Sequence, residues 1–121
     1  MEKKEVEVIQ KKRIGDVINQ LSSKVVPFTL NIRGEKVDVM IHPVGEETIE
    51  EYYRIVRTKE PDAFNDSMKV VAVAAIKDTD GNPAWDKPED IKVGGPEWMT
   101  IRGALLAYVL NANLSEFEAK N

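Results

Sequence analysis

Residues 61–85 read PDAFNDSMKVVAVAAIKDTDGNPAW, and this stretch contains the most apolar run of the chain. Large or apolar side chains recur there at steps of four, three and four, at Phe64, Met68, Val71 and Ala75. That spacing places them on one face of a helix, and further apolar residues fill the neighbouring faces, as in a buried helix. We therefore predict a central helix near residues 61–77. A buried strand over residues 70–76 is the alternative, because four of these seven residues are β-branched.

Upstream of this helix, residues 27–43 have the pattern of a β-hairpin. Large apolar residues occupy every second position on two arms, at Phe28, Leu30 and Ile32 and then at Val37, Val39 and Ile41. Gly34, in the turn between the arms, can adopt a positive φ. The pattern predicts two antiparallel strands with one apolar face packed on helices.

Two more helices are predicted near residues 46–59 and 96–111. The first has an apolar stripe of Ile49, Tyr52, Tyr53 and Val56, and Thr48 with Glu51 matches a capping box at its start. The second has a stripe of Trp98, Ile101 and Leu105, continued by Tyr108 or Val109. The loop between the central helix and this last helix contains Trp85, which we expect to anchor the loop to the core.

The N-terminal residues 1–24 are predicted to form a helix or an arm, with a stripe at Ile14, Val17, Ile18 and Leu21. Its first dozen residues are interpreted either as an arm that orders on a partner or as a frayed terminus. The fold class that follows is α+β: a mostly helical single domain, over residues 25–121, with one antiparallel β-hairpin packed on about four helices.

Composition narrows the function classes. The chain has 121 residues, 42% of them hydrophobic, a net charge of −4 and no cysteine. This balance suits one globular domain, without disulfides or thiolate chemistry. The sequence shows no run long enough to span a bilayer and no signal-peptide pattern, so we expect a cytoplasmic protein without a membrane partner. It also lacks the basic stripe that nucleic-acid binding needs.

The sequence contains no convincing catalytic or metal-binding motif. Loop 78–89 places oxygen ligands at calcium-loop positions, at Asp78, Asp80, Asn82, Asp86 and Glu89. Pro83, however, stands where such a loop needs glycine, so an ordinary Asp-Gly turn explains the segment better. His42 is the only histidine and is expected to face solvent at a strand end. We therefore expect no enzyme activity, no cofactor and no metal.

Several aromatic and soft side chains are the residue types that interfaces favour: Tyr52, Tyr53, Trp98 and Met99. The alternative is that they belong to the core. The number of amphipathic elements in so short a chain also suggests self-association.

Taken in order, these segments resemble the tail assembly chaperones of long-tailed bacteriophages. A hairpin, TLNIRGEKVDVMIHPV, precedes a short helix, GEETIEEYYRIVR. The helix and turn VVAVAAIKDTDGNPAW follow, and then come DKPEDI and ALLAYVLNANLS. The resemblance covers roughly residues 28–117, and residues 1–24 lie outside it.

The resemblance implies a non-enzymatic chaperone that binds the tape measure protein in the host cytoplasm, keeps it in solution and helps to recruit the major tail protein. It also implies homo-oligomers. The partner-binding residues we nominate are Tyr52, Tyr53, Val56, Trp98, Met99 and Leu105. Two alternatives are a structural tail or head–tail connector protein retained in the virion, and a host regulatory or adaptor domain.

Overall fold

The computed structural model describes residues 13–110. Its elements in chain order are α1 (Ile14–Ser22), β1 (Val26–Ile32), β2 (Glu35–Ile41), α2 (Glu46–Val56), α3 (Ala63–Ala75), β3 (Ile76–Lys77) and α4 (Gly95–Leu105). A 3₁₀ turn at Pro88–Asp90 precedes α4, and α4 continues as a π-helical segment, Leu106–Leu110. Helices packed with an antiparallel sheet confirm the predicted α+β class.

The hairpin is confirmed. β1 and β2 pair antiparallel from Val26 opposite Ile41 to Ile32 opposite Glu35. Only Arg33 and Gly34 remain for the turn, with φ of 50° and 89°. Two positive φ values are the mark of a type I′ turn, whose twist matches that of the strands. The side-chain oxygen of Asn31 accepts a hydrogen bond from the Gly34 amide at 3.0 Å and so closes the turn.

The central element is a helix, and the strand alternative is wrong. Met68, Val71, Ala72 and Ala75 of α3 are completely buried. The helix nevertheless ends two residues before the predicted limit of 77, because Ile76 and Lys77 form β3 antiparallel to β2. The Ala75 carbonyl accepts from the His42 amide at 2.7 Å, and the Ile76 carbonyl accepts from the Ala84 amide at 3.1 Å. These partners replace those that a further helical turn would have supplied. The third strand was not predicted.

Of the other two predicted helices, α2 ends at Val56, three residues before the predicted limit, whereas the last helix is helical from Gly95 to Leu110. α2 begins at Glu46 after Gly45, with no side-chain cap, so the capping box at Thr48 is wrong. Glu51 is engaged by Arg54 instead. The α4 stripe is confirmed: Trp98, Ile101 and Leu105 are buried, and beyond them Val109 rather than Tyr108 is buried. The predicted end at residue 111 lies outside the described residues.

The core lies between one face of the sheet and helices α3 and α4. Leu30, Val39 and Ile41 line it from the sheet, and Ile91 closes it from the loop before α4. Trp85 is half-buried and packs against this cluster, as predicted. Neither α1 nor α2 has a fully buried residue, but α1 also leaves its large side chains Ile14, Ile18 and Leu21 mostly exposed. The predicted N-terminal arm over the first dozen residues lies outside the described part of the chain.

Candidate functional site

The structure divides the six nominated partner-binding residues into two groups. Leu105 is completely buried and Trp98 is only 7% exposed, so both belong to the core, the alternative that the sequence left open. Tyr53 and Met99 are 46% and 63% exposed. Tyr52 and Val56 are half-buried. Partner contact through these last four stays a prediction, and the structure brings them to two separate surfaces.

The first surface, the tyrosine patch, consists of Tyr52, Tyr53 and Val56 on α2. The two tyrosine rings meet edge to face, with centroids 5.2 Å apart and planes inclined at 72°. The guanidinium carbon of Arg57 lies 5.8 Å from the centre of the Tyr53 ring. Burial raises the pKa of the Tyr52 hydroxyl, and Tyr53 adds to the effect. The patch therefore presents two aromatic rings in contact with each other beside a guanidinium group, a combination common in protein interfaces.

The second surface, the Phe64 patch, consists of Phe64, Met99 and Arg102, where the start of α3 meets α4. Phe64 was predicted to face the core but is 43% exposed. Its ring lies 5.4 Å from the guanidinium carbon of Arg102. Phe64 lies in the first turn of α3 beside Ala63, which is buried, so the exposed side of the helix in this turn is the one that carries Phe64.

Asn65 holds the Phe64 patch in place. Its side-chain oxygen accepts hydrogen bonds from the indole N–H of Trp98 at 3.2 Å and from the Arg102 guanidinium at 2.8 Å. A single acceptor on α3 thus fixes two side chains of α4. Sequence analysis missed this residue; the one available signal was a polar amide beside an apolar helical stripe, four residues after Pro61.

A third surface was also missed. The predicted apolar stripe of α1 consists of Ile14, Val17, Ile18 and Leu21, which we call the α1 stripe. Val17 is half-buried, whereas Ile14, Ile18 and Leu21 are 75%, 57% and 65% exposed. Beside the last turn of α1 lies a groove of about 320 Å³, which we call the α1 groove. Its apolar walls come from Val26, Pro43, Val44, Ile49, Tyr108 and Val109.

The Asp78 loop is an Asp-Gly turn, as predicted. The Asp78 carboxylate accepts hydrogen bonds from the amides of Asp80 and Asn82, each at 2.9 Å. The hydrogen bond from the Asn82 amide is the main reason that the pKa of Asp78 is lowered. Gly81 has a φ of 89°, which suits glycine in such a turn. The carboxylate is thus committed to its own backbone, and the described residues contain no cluster of three metal-ligating side chains.

A groove between α2 and α3 also carries charge. It has a volume of about 480 Å³ and is lined by Glu51, Asp66, Lys69 and Glu89 around apolar walls of Ile55, Val70 and Pro88. Arg54 pairs with Glu51 in an exposed ion pair.

His42, expected to face solvent, is half-buried at the end of β2. Among residues 13–110, no helix has the length and apolar character needed to cross a bilayer.

Comparison with known proteins gives a match in structure and none in sequence. No protein-family model and no curated protein matches the chain. The fold is similar to the solved structure of the bacteriophage HK97 tail assembly chaperone, with a TM-score of 0.55 and 17% sequence identity. The match covers 77% of this chain and 97% of that one. The resemblance inferred from the sequence is thereby confirmed at the level of the fold.

Proposed function

We propose that the chain is a phage tail assembly chaperone: a non-enzymatic protein that binds the tape measure protein and helps to recruit the major tail protein. It acts in the cytoplasm of the bacterial host, from a phage or prophage gene, and self-associates. The observation that carries the proposal is the shared fold, which extends over nearly the whole length of the HK97 chaperone.

Exposed apolar surface supports a binding role. The tyrosine patch and the Phe64 patch each combine an aromatic ring with a guanidinium group, at Tyr53 with Arg57 and at Phe64 with Arg102. Such a surface can cover apolar side chains of a helical partner while its charged rim stays in water. Several weak contacts repeated along an extended partner give high avidity, yet each copy remains exchangeable. That property suits a chaperone that must be displaced during assembly.

Co-expression with a fragment of the tape measure protein of the same phage or prophage tests the proposal. We expect the fragment to stay in solution and to co-purify with the chain. Replacing Tyr53 and Met99 together by alanine should weaken the complex by at least about tenfold, because both side chains are exposed and apolar.

Glu50→Ala is the matched control, since it truncates an exposed polar side chain on α2 and should leave binding unchanged. Absence of any complex at low salt would contradict the proposal. Recovery of the chain in stoichiometric amounts from purified phage particles, measured by mass spectrometry, would instead identify a structural tail or connector protein.

A further inference from the structure

Strand β1 is an open edge of the sheet. The strand order is β1-β2-β3, so one side of β1 has no neighbouring strand in the described part of the chain. The two-residue turn makes Ile32 and Glu35 a hydrogen-bonded pair, and such pairs alternate with non-bonded pairs along antiparallel strands. The backbone N–H and C=O groups of Thr29 and Asn31 therefore point away from β2. Within residues 13–110 these groups have no backbone partner.

This edge lacks the charges that usually protect an open strand. β1, with the sequence VPFTLNI, contains no charged residue. The part of β2 that β3 leaves uncovered, on the other side of the sheet, carries Glu35, Lys36 and Asp38. Proteins use charged side chains and proline to prevent pairing at free edges, and β1 has only Pro27, near its start. The edge of β1 is therefore suited to accept a further strand.

We propose that two copies of the chain pair through β1, antiparallel about a two-fold axis at Leu30, and so join their sheets into one. Thr29 of each copy then lies opposite Asn31 of the other, and these pairs satisfy every backbone N–H and C=O group left open at the two residues. This pairing specifies how the self-association in the proposed function is made, and it rests on that function. It uses the same surface of both copies and closes with two of them.

A second β1 is the strand that the composition of the edge favours. Pro27 has no N–H, so a longer extended segment of another protein would meet a missing donor at this position. In the pairing about Leu30, Pro27 lies instead opposite Arg33 of the second copy. Arg33 has a φ of 50° and belongs to the turn, so no strand continues there. The free edge thus ends where its own copy ends.

The inner face of the joined sheet agrees with this register. Phe28 of one copy lies opposite Ile32 of the other, and both side chains are only half-buried in a single copy. Leu30 lies opposite its own equivalent. Apolar pairs directly across two antiparallel strands stabilise a sheet, and pairing covers apolar surface that one copy leaves in water.

The outer face agrees as well. Asp38 lies beside Thr29, and Lys36 lies beside Asn31. With the axis at Leu30, each row across the four strands of the joined hairpins contains one carboxylate and one ammonium group. An axis at Thr29 would place both Asp38 carboxylates in one row, so the charges favour the register about Leu30.

Amide exchange followed by NMR at low and high protein concentration tests the pairing on the unmodified chain. We expect the backbone amides of Thr29 and Asn31 to exchange at least about fivefold more slowly at a concentration where light scattering shows a dimer. The backbone amide of Asp38 is the matched control, because it points away from β1 at the other free edge and should not change. Equal exchange of Thr29 and Asn31 at both concentrations, or a monomer at all concentrations up to about 1 mM, would overturn the pairing.

Substitutions at Thr29 give an independent measurement. Thr29→Pro removes the N–H that bonds the second copy but none that bonds β2, so the hairpin should still form. It should raise the dissociation constant of the dimer at least about fivefold in multi-angle light scattering. Thr29→Val keeps the backbone N–H and should change the constant by less than about twofold. Equal effects of the two variants would overturn the pairing.

A second edge variant covers the case in which Thr29→Pro fails to fold, as judged by circular dichroism. Thr29→Lys leaves the backbone intact and adds the kind of charge that protects natural sheet edges. It should raise the dissociation constant of the dimer by at least about fivefold as well. A folded Thr29→Lys variant that dimerises like the unmodified chain would overturn the pairing.

A fragment of the tape measure protein separates this pairing from the proposed function. If the fragment binds while the Thr29 and Asn31 amides slow with protein concentration alone, both proposals are supported. If these amides slow only when the fragment is added, the edge binds a strand of the partner and the pairing is overturned. If the dimer forms but no fragment binds, the proposed function fails while the pairing stands.

Discussion

Replacing Asn65 by alanine should destabilise the chain by about 2 kcal/mol. Asn65 accepts a hydrogen bond from the indole N–H of Trp98, whose side chain is almost fully buried. Without this acceptor a donor in the core loses its partner, which costs about 1–3 kcal/mol. Arg102 loses a partner as well but reaches water, so its share is smaller. For a chain of this length the melting temperature should fall by roughly 8 °C.

Urea unfolding followed by circular dichroism measures this loss, at one fixed protein concentration because self-association would shift the midpoint. Asn65→Asp is the control, since it retains a side-chain oxygen in the same place and should lose less than about half as much. The reasoning would be refuted if Asn65→Ala stayed within about 0.5 kcal/mol of the unmodified chain, or if Asn65→Asp lost as much as Asn65→Ala.

Three further predictions follow from the same structure. Leu105→Ala should lower the free energy of unfolding, measured in urea, by about 2–5 kcal/mol because this side chain is completely buried. Met99→Ala, at an exposed position, should change it by less than about 0.5 kcal/mol, and similar losses for the two variants would contradict the placement of Leu105. Gly34→Ala should lower the free energy of unfolding by about 1–2 kcal/mol, because φ is 89° at this position. Gly15→Ala, inside α1, is the control and should not destabilise the chain. A Gly34→Ala variant as stable as the unmodified chain would refute the type I′ turn. The Asp78 carboxyl should titrate below pH 3.8 when followed by NMR, since its pKa is lowered in the folded state. The folded state therefore binds fewer protons than the unfolded state near this pH, so the ionised carboxylate stabilises the fold above pH 3.8 and this stabilisation is lost as the pH falls through the lowered pKa. A titration midpoint at or above pH 3.8 would contradict the prediction.

The spacing of apolar residues along the sequence was enough to predict the hairpin and the central helix. The alternation of apolar residues in the hairpin and the helical spacing of Met68, Val71 and Ala75 are local patterns, and both elements formed as expected. β3 could not be predicted in this way. Two residues carry no periodicity, and Ile76 is extended because β2 lies beside it.

The candidate surfaces were harder to predict because an apolar stripe states only that a helix has an apolar face. It does not state what covers that face. The stripe of α4 is buried under the sheet and α3, whereas Ile18 in the equally regular stripe of α1 is mostly exposed. Asn65 and its two partners are 33 and 37 residues apart, so their meeting depends on how α3 and α4 pack. Such contacts follow from tertiary structure alone.

The direct passage from α3 into β3 has a consequence for how the protein opens. Because Ile76 pairs with Ile41 immediately after the last turn of α3, separation of the hairpin from the core also breaks the pairing that continues the central helix. Unfolding of the hairpin and of α3 should therefore be coupled. Amide protons in these elements should therefore exchange with solvent deuterium together, as one cooperative unit. α1 has no buried residue that ties it to that unit, so it can unfold without the rest of the fold. A rigid body with one independently released segment can be added to, or removed from, a growing assembly without losing its own fold.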